Sequence, residues 1–115
     1  MILKSEIIKA DNVAIFKLEG KILSDLEIQS LNDHLLLLLE EHISNIIFDL
    51  TKLSHINSTG LNFFIKSLTK CRIKGGELLF FGLNGAVKTV FQISKLDEVF
   101  TIYENEEKAI KHFNK

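Results

Sequence analysis

NIIFDLTKLSHINSTGLNFFIKSLTKCRIKGGELLFF, residues 45–81, holds the pattern on which the fold turns. Its first six residues, 45–50, are mostly apolar and short enough for a buried strand. Asn57-Ser58-Thr59-Gly60 follows, made of residues that suit a helix start better than a helix interior. Over 59–73 apolar residues recur at helical spacing, and Leu61, Phe64, Ile65 and Leu68 form the stripe expected to face inward. Gly75-Gly76 marks a turn, and 77–81 (ELLFF) reads as a second buried strand. Strand, helix and strand in that order form a βαβ crossover, which implies a parallel pair.

The pattern extends outward in both directions. Residues 2–9 (ILKSEIIK) and 13–18 (VAIFKL) are rich in β-formers, and Asp11-Asn12 between them is turn chemistry, so the chain should open with an antiparallel hairpin. Gly20 is expected to end the second strand. Ser24 or Asp25 can cap a helix reaching about residue 41, with Ile28, Leu31, Leu35 and Leu38/Leu39 on its inner stripe and Leu26 and Leu37 on the opposite side. Downstream come a helix over 84–93, a short strand over 99–102, and a helix over 104–113 whose acidic start and basic end suit its dipole. No Pro-rich, Gly/Ser-rich or repeated segment interrupts this order. The expectation is α/β, one domain over residues 1–115, with an N-terminal hairpin and then a mixed, largely parallel sheet packed with helices.

Composition narrows the function. The 115 residues are enough for one core without metal or disulfide staples. A net charge of −1 provides no general attraction for nucleic acid. The single cysteine, Cys71, excludes an internal disulfide. The first residues, MILKSEIIKADN, lack the apolar core of a signal peptide, and the leucine run at 35–39 is far short of the roughly 20 residues that span a bilayer. A cytoplasmic protein without membrane insertion is expected.

Enzyme signatures are missing. No G-x-x-x-x-G-K-[ST] run exists for phosphates, and Gly82-Leu83-Asn84-Gly85 lacks the G-x-G-x-x-G spacing of a dinucleotide site. Ser58 is not set in a G-x-S-x-G elbow. His34, His42, His55 and His112 fall on different elements without zinc-ligand spacing. Asp49 at a strand end and Cys71 between Lys70 and Arg72 both read as structural. The glycosylation pattern at Asn57-Ser58-Thr59 has no meaning without secretion. No cofactor and no metal are expected.

The hydroxyl at the helix start remains. Loops at the carboxyl ends of parallel strands are where such folds carry function. Unpaired N–H groups there favour negative charge, and a phosphate on Ser58 would bring about −1.5 to −2 charges to one surface spot. Ser58 can equally be a plain N-cap, worth around 1 kcal/mol. Phe63, about 200° from Leu61 on the helix, should fall outside the inner stripe. It then stands as an exposed aromatic anchor beside Ser58, unless a neighbouring helix or loop covers it.

Taken together, FKLEGKI (16–22), IIFDLTKLSHINSTGL (46–61) and KGGELLFFGLNGAVKTVFQISKLDEVFTIYENEEKAI (74–110) resemble a STAS domain (sulphate transporter and anti-sigma factor antagonist), of the stand-alone bacterial anti-sigma factor antagonist type. The family's aspartate–serine–serine/threonine–glycine–leucine signature corresponds to Asn57-Ser58-Thr59-Gly60-Leu61, and the A-V-K-x-x-F helix from Ala86 to Phe91 adds support. The resemblance implies a phosphoprotein regulating transcription. Unphosphorylated, such a domain binds an anti-sigma factor that is itself a serine kinase, and a sigma factor is released. Phosphorylation of the serine matching Ser58 ends the binding, and a serine phosphatase resets it. The chain would be substrate and ligand rather than enzyme, a monomer or weak dimer, meeting its partner through Asn57, Ser58, Thr59, Gly60, Asn62 and Phe63. Three positions depart from the family: Asn57 and Leu23 stand where acids are usual, and Asn62 where a glycine commonly follows G-L. Two alternatives follow: a STAS scaffold subunit of a signalling or transport complex without a phosphorylation cycle, or a domain binding a small anion or nucleotide.

Overall fold

Alternation along the central strands decides which side of the sheet each helix covers. In β2 (Val13–Ile22), Ala14, Phe16 and Leu18 enter one core while Val13 and Ile15 enter a second. In β3 (Asn45–Ile56), Ile46, Phe48 and Leu50 join the first and Ile47 the second, and β4 (Glu77–Phe81) divides Leu78 and Phe80 from Leu79 and Phe81 in the same way. Strands apolar on both sides need cover on both sides. The first face is covered by α1 (Asp25–Glu40), α2 (Ser58–Ile73) and α3 (Gly85–Ile93), the second by α4 (Glu106–Phe113) through Ala109, Ile110 and Phe113.

The computed structural model describes residues 3–10 and 12–114. Five strands lie in the order β1-β2-β3-β4-β5, with β1 (Leu3–Ala10) antiparallel to β2 and the other neighbours parallel, ending on β5 (Thr101–Tyr103). The expected hairpin, βαβ crossover and mixed sheet are therefore present; of the expected turn pair, Asp11 lies outside the described residues. Phenylalanines fill the first core: Phe48 sits 4.9 Å from Phe16, 5.0 Å from Phe64 and 5.7 Å from Phe80, centroid to centroid. Phe80 continues the cluster to Phe100 at 4.8 Å and Phe91 at 5.6 Å, in edge-to-face contacts that add to area burial.

Several boundaries differ from the sequence reading. β2 does not stop at Gly20 but runs to Ile22, passing through register shifts between Lys17 and Glu19 and between Gly20 and Lys21. Gly20 adopts φ 108°, a conformation open to glycine, and so lets the strand bend without ending. β3 continues six residues beyond the expected Leu50, because Lys52, Leu53, His55 and Ile56 pair with the extended β2. β5 begins at Thr101 rather than at residue 99, since a 3₁₀ turn (Leu96–Glu98) precedes it and leaves Val99 exposed. α4 begins at Glu106, where Asn105 Oδ1 accepts from Lys108 N at 3.0 Å.

Candidate functional site

β2 and β3 outrun the rest of the sheet: β4 pairs with β3 only as far as Asp49, whereas β2 pairs with β3 up to Ile56. The two extended ends form an arm that carries the Asn57–Gly60 junction past the ends of β4 and β5. The junction is tied down where it leaves the arm, with Asn57 N donating to Ile22 O at 3.2 Å. Asn57 is extended (φ −101°, ψ 178°) and caps α2, its Oδ1 accepting from Gly60 N at 2.9 Å. The N-cap is therefore Asn57, and the reading of Ser58 as a plain N-cap is corrected: Ser58 is the first residue of the helix proper. An asparagine cap contributes about 1 kcal/mol. Asn57→Ala is expected to lower stability by about that amount, and Asn57→Asp, which keeps an acceptor, by less than about 0.5 kcal/mol, both read from urea unfolding midpoints.

Gly60 explains itself by close approach. A Cβ there would stand 2.7 Å from Ile56 Cγ1 and 3.0 Å from Ile22 Cγ2, so only glycine lets the first turn of α2 settle on the end of the arm. That packing turns Ser58 and Asn62 to solvent, while Thr59 is half-buried. Ser58 Oγ makes no hydrogen bond among the described residues and lies at the end of α2 where N–H groups favour an anion. Leu23, 49% exposed, directly follows Ile22, whose carbonyl holds Asn57, and Leu26 is 78% exposed. Their loop is held by Glu27, whose Oε1 accepts from Leu23 N and Ser24 N at 3.0 Å each.

Phe63 corrects the second expectation. It is buried at 4% exposure, with its ring 6.1 Å from Phe48 and 5.7 Å from Phe64, whereas Ile65, expected inside, is 39% exposed. The buried face of α2 is Gly60, Phe63, Phe64, Ser67, Leu68 and Cys71, turned from the stripe that counts only large apolar residues. Small residues mark the closest approach of this helix to the sheet, and α1 packs beside it on the Phe63 side. Phe63 is thus core, and Ile65, seven residues after Ser58 and so on the same face of α2, is exposed.

The remaining chemistry-bearing residues stay apart. Among the described residues no three His, Cys, Asp or Glu side chains gather as a metal site, and no helix is long and apolar enough to cross a membrane. His55 Nδ1 lies 2.9 Å from Ser54 Oγ, and His112 Nδ1 2.7 Å from Tyr103 Oη. Burial, assisted by the Glu77 carboxylate, pushes the Cys71 thiol up to about 12, which leaves it protonated and inert at neutral pH. Asp49 Oδ1 accepts from Thr51 N at 2.9 Å, a structural role at the point where β4 leaves β3.

The STAS domain family matches residues 4–109. The anti-sigma-B factor antagonists of Listeria monocytogenes and Listeria innocua are each 35% identical to the chain over 54 residues, 47% of this chain and 47% of theirs. The chain thus spans about half the length of the curated relatives it matches. Among solved structures, an anti-sigma factor antagonist from Mycobacterium paratuberculosis superposes with a TM-score of 0.84 at 15% identity, covering 98% of this chain and 95% of that one. The antagonist SpoIIAA in its unphosphorylated form gives 0.83 at 18% identity over 96% of each chain. The phosphorylated form of SpoIIAA, the Bacillus cell fate determinant, gives 0.75 at 16% identity over 96% of this chain and 99% of that one. Sheet order, helix placement and the family match over nearly the whole length agree: the chain belongs to the STAS domain family.

Proposed function

We propose that this protein is an anti-sigma factor antagonist switched by phosphorylation of Ser58. Unphosphorylated, it binds an anti-sigma factor that is itself a serine kinase, and a sigma factor is set free for transcription. Phosphate on Ser58 ends that binding, and a serine phosphatase restores it. ATP belongs to the kinase, so this chain acts as substrate and ligand and not as an enzyme. The names of the Listeria relatives and the fold shared with both forms of SpoIIAA support the reading.

One observation carries the assignment to a particular hydroxyl. Ser58 is exposed at the first position of α2, whereas Thr59 is half-buried on the side facing α1. A kinase active site must surround the acceptor oxygen, and Ser58 is the more exposed of the two hydroxyl residues. Its phosphate would sit where the helix dipole favours an anion, so the domain tolerates the modification that repels its partner. Incubation with the cognate kinase and ATP is expected to add one phosphate, lost in Ser58→Ala and retained in Thr59→Ala; intact-mass spectrometry reads both. The reverse pattern moves the acceptor to Thr59.

The exposed Leu23 favours a second reading. An apolar side chain where the family has an acid suits a permanent protein contact better than kinase recognition. In that case the domain is a scaffold subunit, and no phosphate appears on Ser58.

A further inference from the structure

Thr59 lines one end of a groove of about 440 Å³ between α1 and α2, with Asp25 across from it. Along α2 the same groove passes Phe63, Lys66 and Lys70. At 1.5 Å per residue, Lys66 stands roughly 10 Å and Lys70 roughly 16 Å beyond Thr59. The groove thus carries one carboxylate, Asp25, and two ammonium groups, Lys66 and Lys70. Lys70 Nζ bridges to Asn32 Oδ1 at 2.8 Å, which fixes one cation across the groove. The ion pairs found among the described residues are Lys9–Glu41, Arg72–Glu77, Lys108–Glu104 and Lys111–Glu107, so neither groove lysine forms an ion pair with a described carboxylate.

We infer that this groove docks an acidic segment of the protein partner, with its carboxylates at Lys66 and Lys70. The inference rests on the reading of Ser58 as a partner-facing switch, and the two lysines without an ion pair select the occupant by charge complementarity. A phosphate on Ser58 adds about −1.5 to −2 charges one residue before Thr59, at that end of the groove. It repels an acidic segment and so opposes binding, as the switch requires. Ser58 and Lys66 are eight residues apart, roughly 12 Å along the helix. That exceeds the screening length of about 8 Å at physiological salt, so the lysine contact and the phosphate repulsion act as separate, nearly additive contributions.

Fluorescence anisotropy with two labelled amphipathic peptides tests this, one of glutamate and leucine and the other of lysine and leucine in the same pattern. The wild-type protein is expected to bind the acidic peptide, more weakly as salt rises, and to bind the basic one at least about tenfold less well. Lys66→Glu, at an exposed position where melting should be unchanged, is expected to weaken the acidic peptide by at least about tenfold. Lys70→Glu should act in the same direction, but it also breaks the Asn32 contact, so Lys66→Glu is the deciding variant. Equal binding of the two peptides, no binding of the acidic one, or an unchanged affinity in Lys66→Glu overturns the inference. Displacement of the acidic peptide by inorganic phosphate at constant ionic strength overturns it in favour of a small-anion site. Ser58→Asp measured alongside separates the two ideas: a loss in Ser58→Asp but not Lys66→Glu keeps the switch and removes the groove, and the converse keeps the groove and removes the switch.

Discussion

Phe64→Ala is expected to lower the unfolding free energy by about 3–5 kcal/mol, and Phe63→Ala to lower it by a similar amount. Both rings are within the phenylalanine cluster, Phe64 at 0% and Phe63 at 4% exposure, and neither vacated site can be refilled without shifting α2 toward the sheet. Phe64 touches Phe48 at 5.0 Å and Phe80 at 4.9 Å, so its loss removes contacts from two strands at once. Domains of this size are stable by about 5–15 kcal/mol, so either truncation removes a large share. Urea denaturation of both variants gives the comparison. A Phe63→Ala protein as stable as wild type would restore Phe63 to the surface and place the interface on its ring. Ile65→Ala, by contrast, truncates a partly exposed side chain and should leave the melt nearly unchanged.

Ser58→Asp or Ser58→Glu is expected to weaken binding to the anti-sigma partner by several kcal/mol while leaving the fold intact. The loss arises because docking would strip water from a carboxylate at the interface without supplying an opposite charge. The fold survives because an acid in the first turn of a helix interacts favourably with its dipole. Isothermal titration against the partner, paired with a thermal melt, measures both halves. Undiminished binding by the acidic variants would leave the scaffold reading in place of the switch.

Most of the site was legible at the level of position but not of orientation. The helix start at residues 57–60, the exposed hydroxyl of Ser58 and the capping capacity of Asn57 all follow from residue chemistry. Which residue caps could not be read, because Asn57 and Ser58 are both good caps and only the extended backbone at Asn57, held by the bond from its N–H to Ile22 O, separates them. Lys66 and Lys70 carried a signal, two lysines four residues apart, but a lysine pair on a helix is ordinary until a second helix turns it into one side of a groove.

What the sequence alone determined is the order and type of the elements: the hairpin, the 45–81 crossover, the strand at Glu77–Phe81 and the helix that follows it. These depend on local periodicity and on turn residues such as Gly75-Gly76, which act over a few positions and need no partner. Tertiary structure alone decided the length of β3 and the rotation of α2. The segment TKLSHI is too polar to declare itself a strand, and it becomes one because β2 bends through Gly20 to supply hydrogen-bond partners. Helix α2 has large apolar residues on two sides, so its periodicity admits more than one inner face. The choice fell to Gly60, Ser67 and Cys71, whose small side chains let the backbone approach the sheet, drawing Phe63 inward and leaving Ile65 on the face of Ser58.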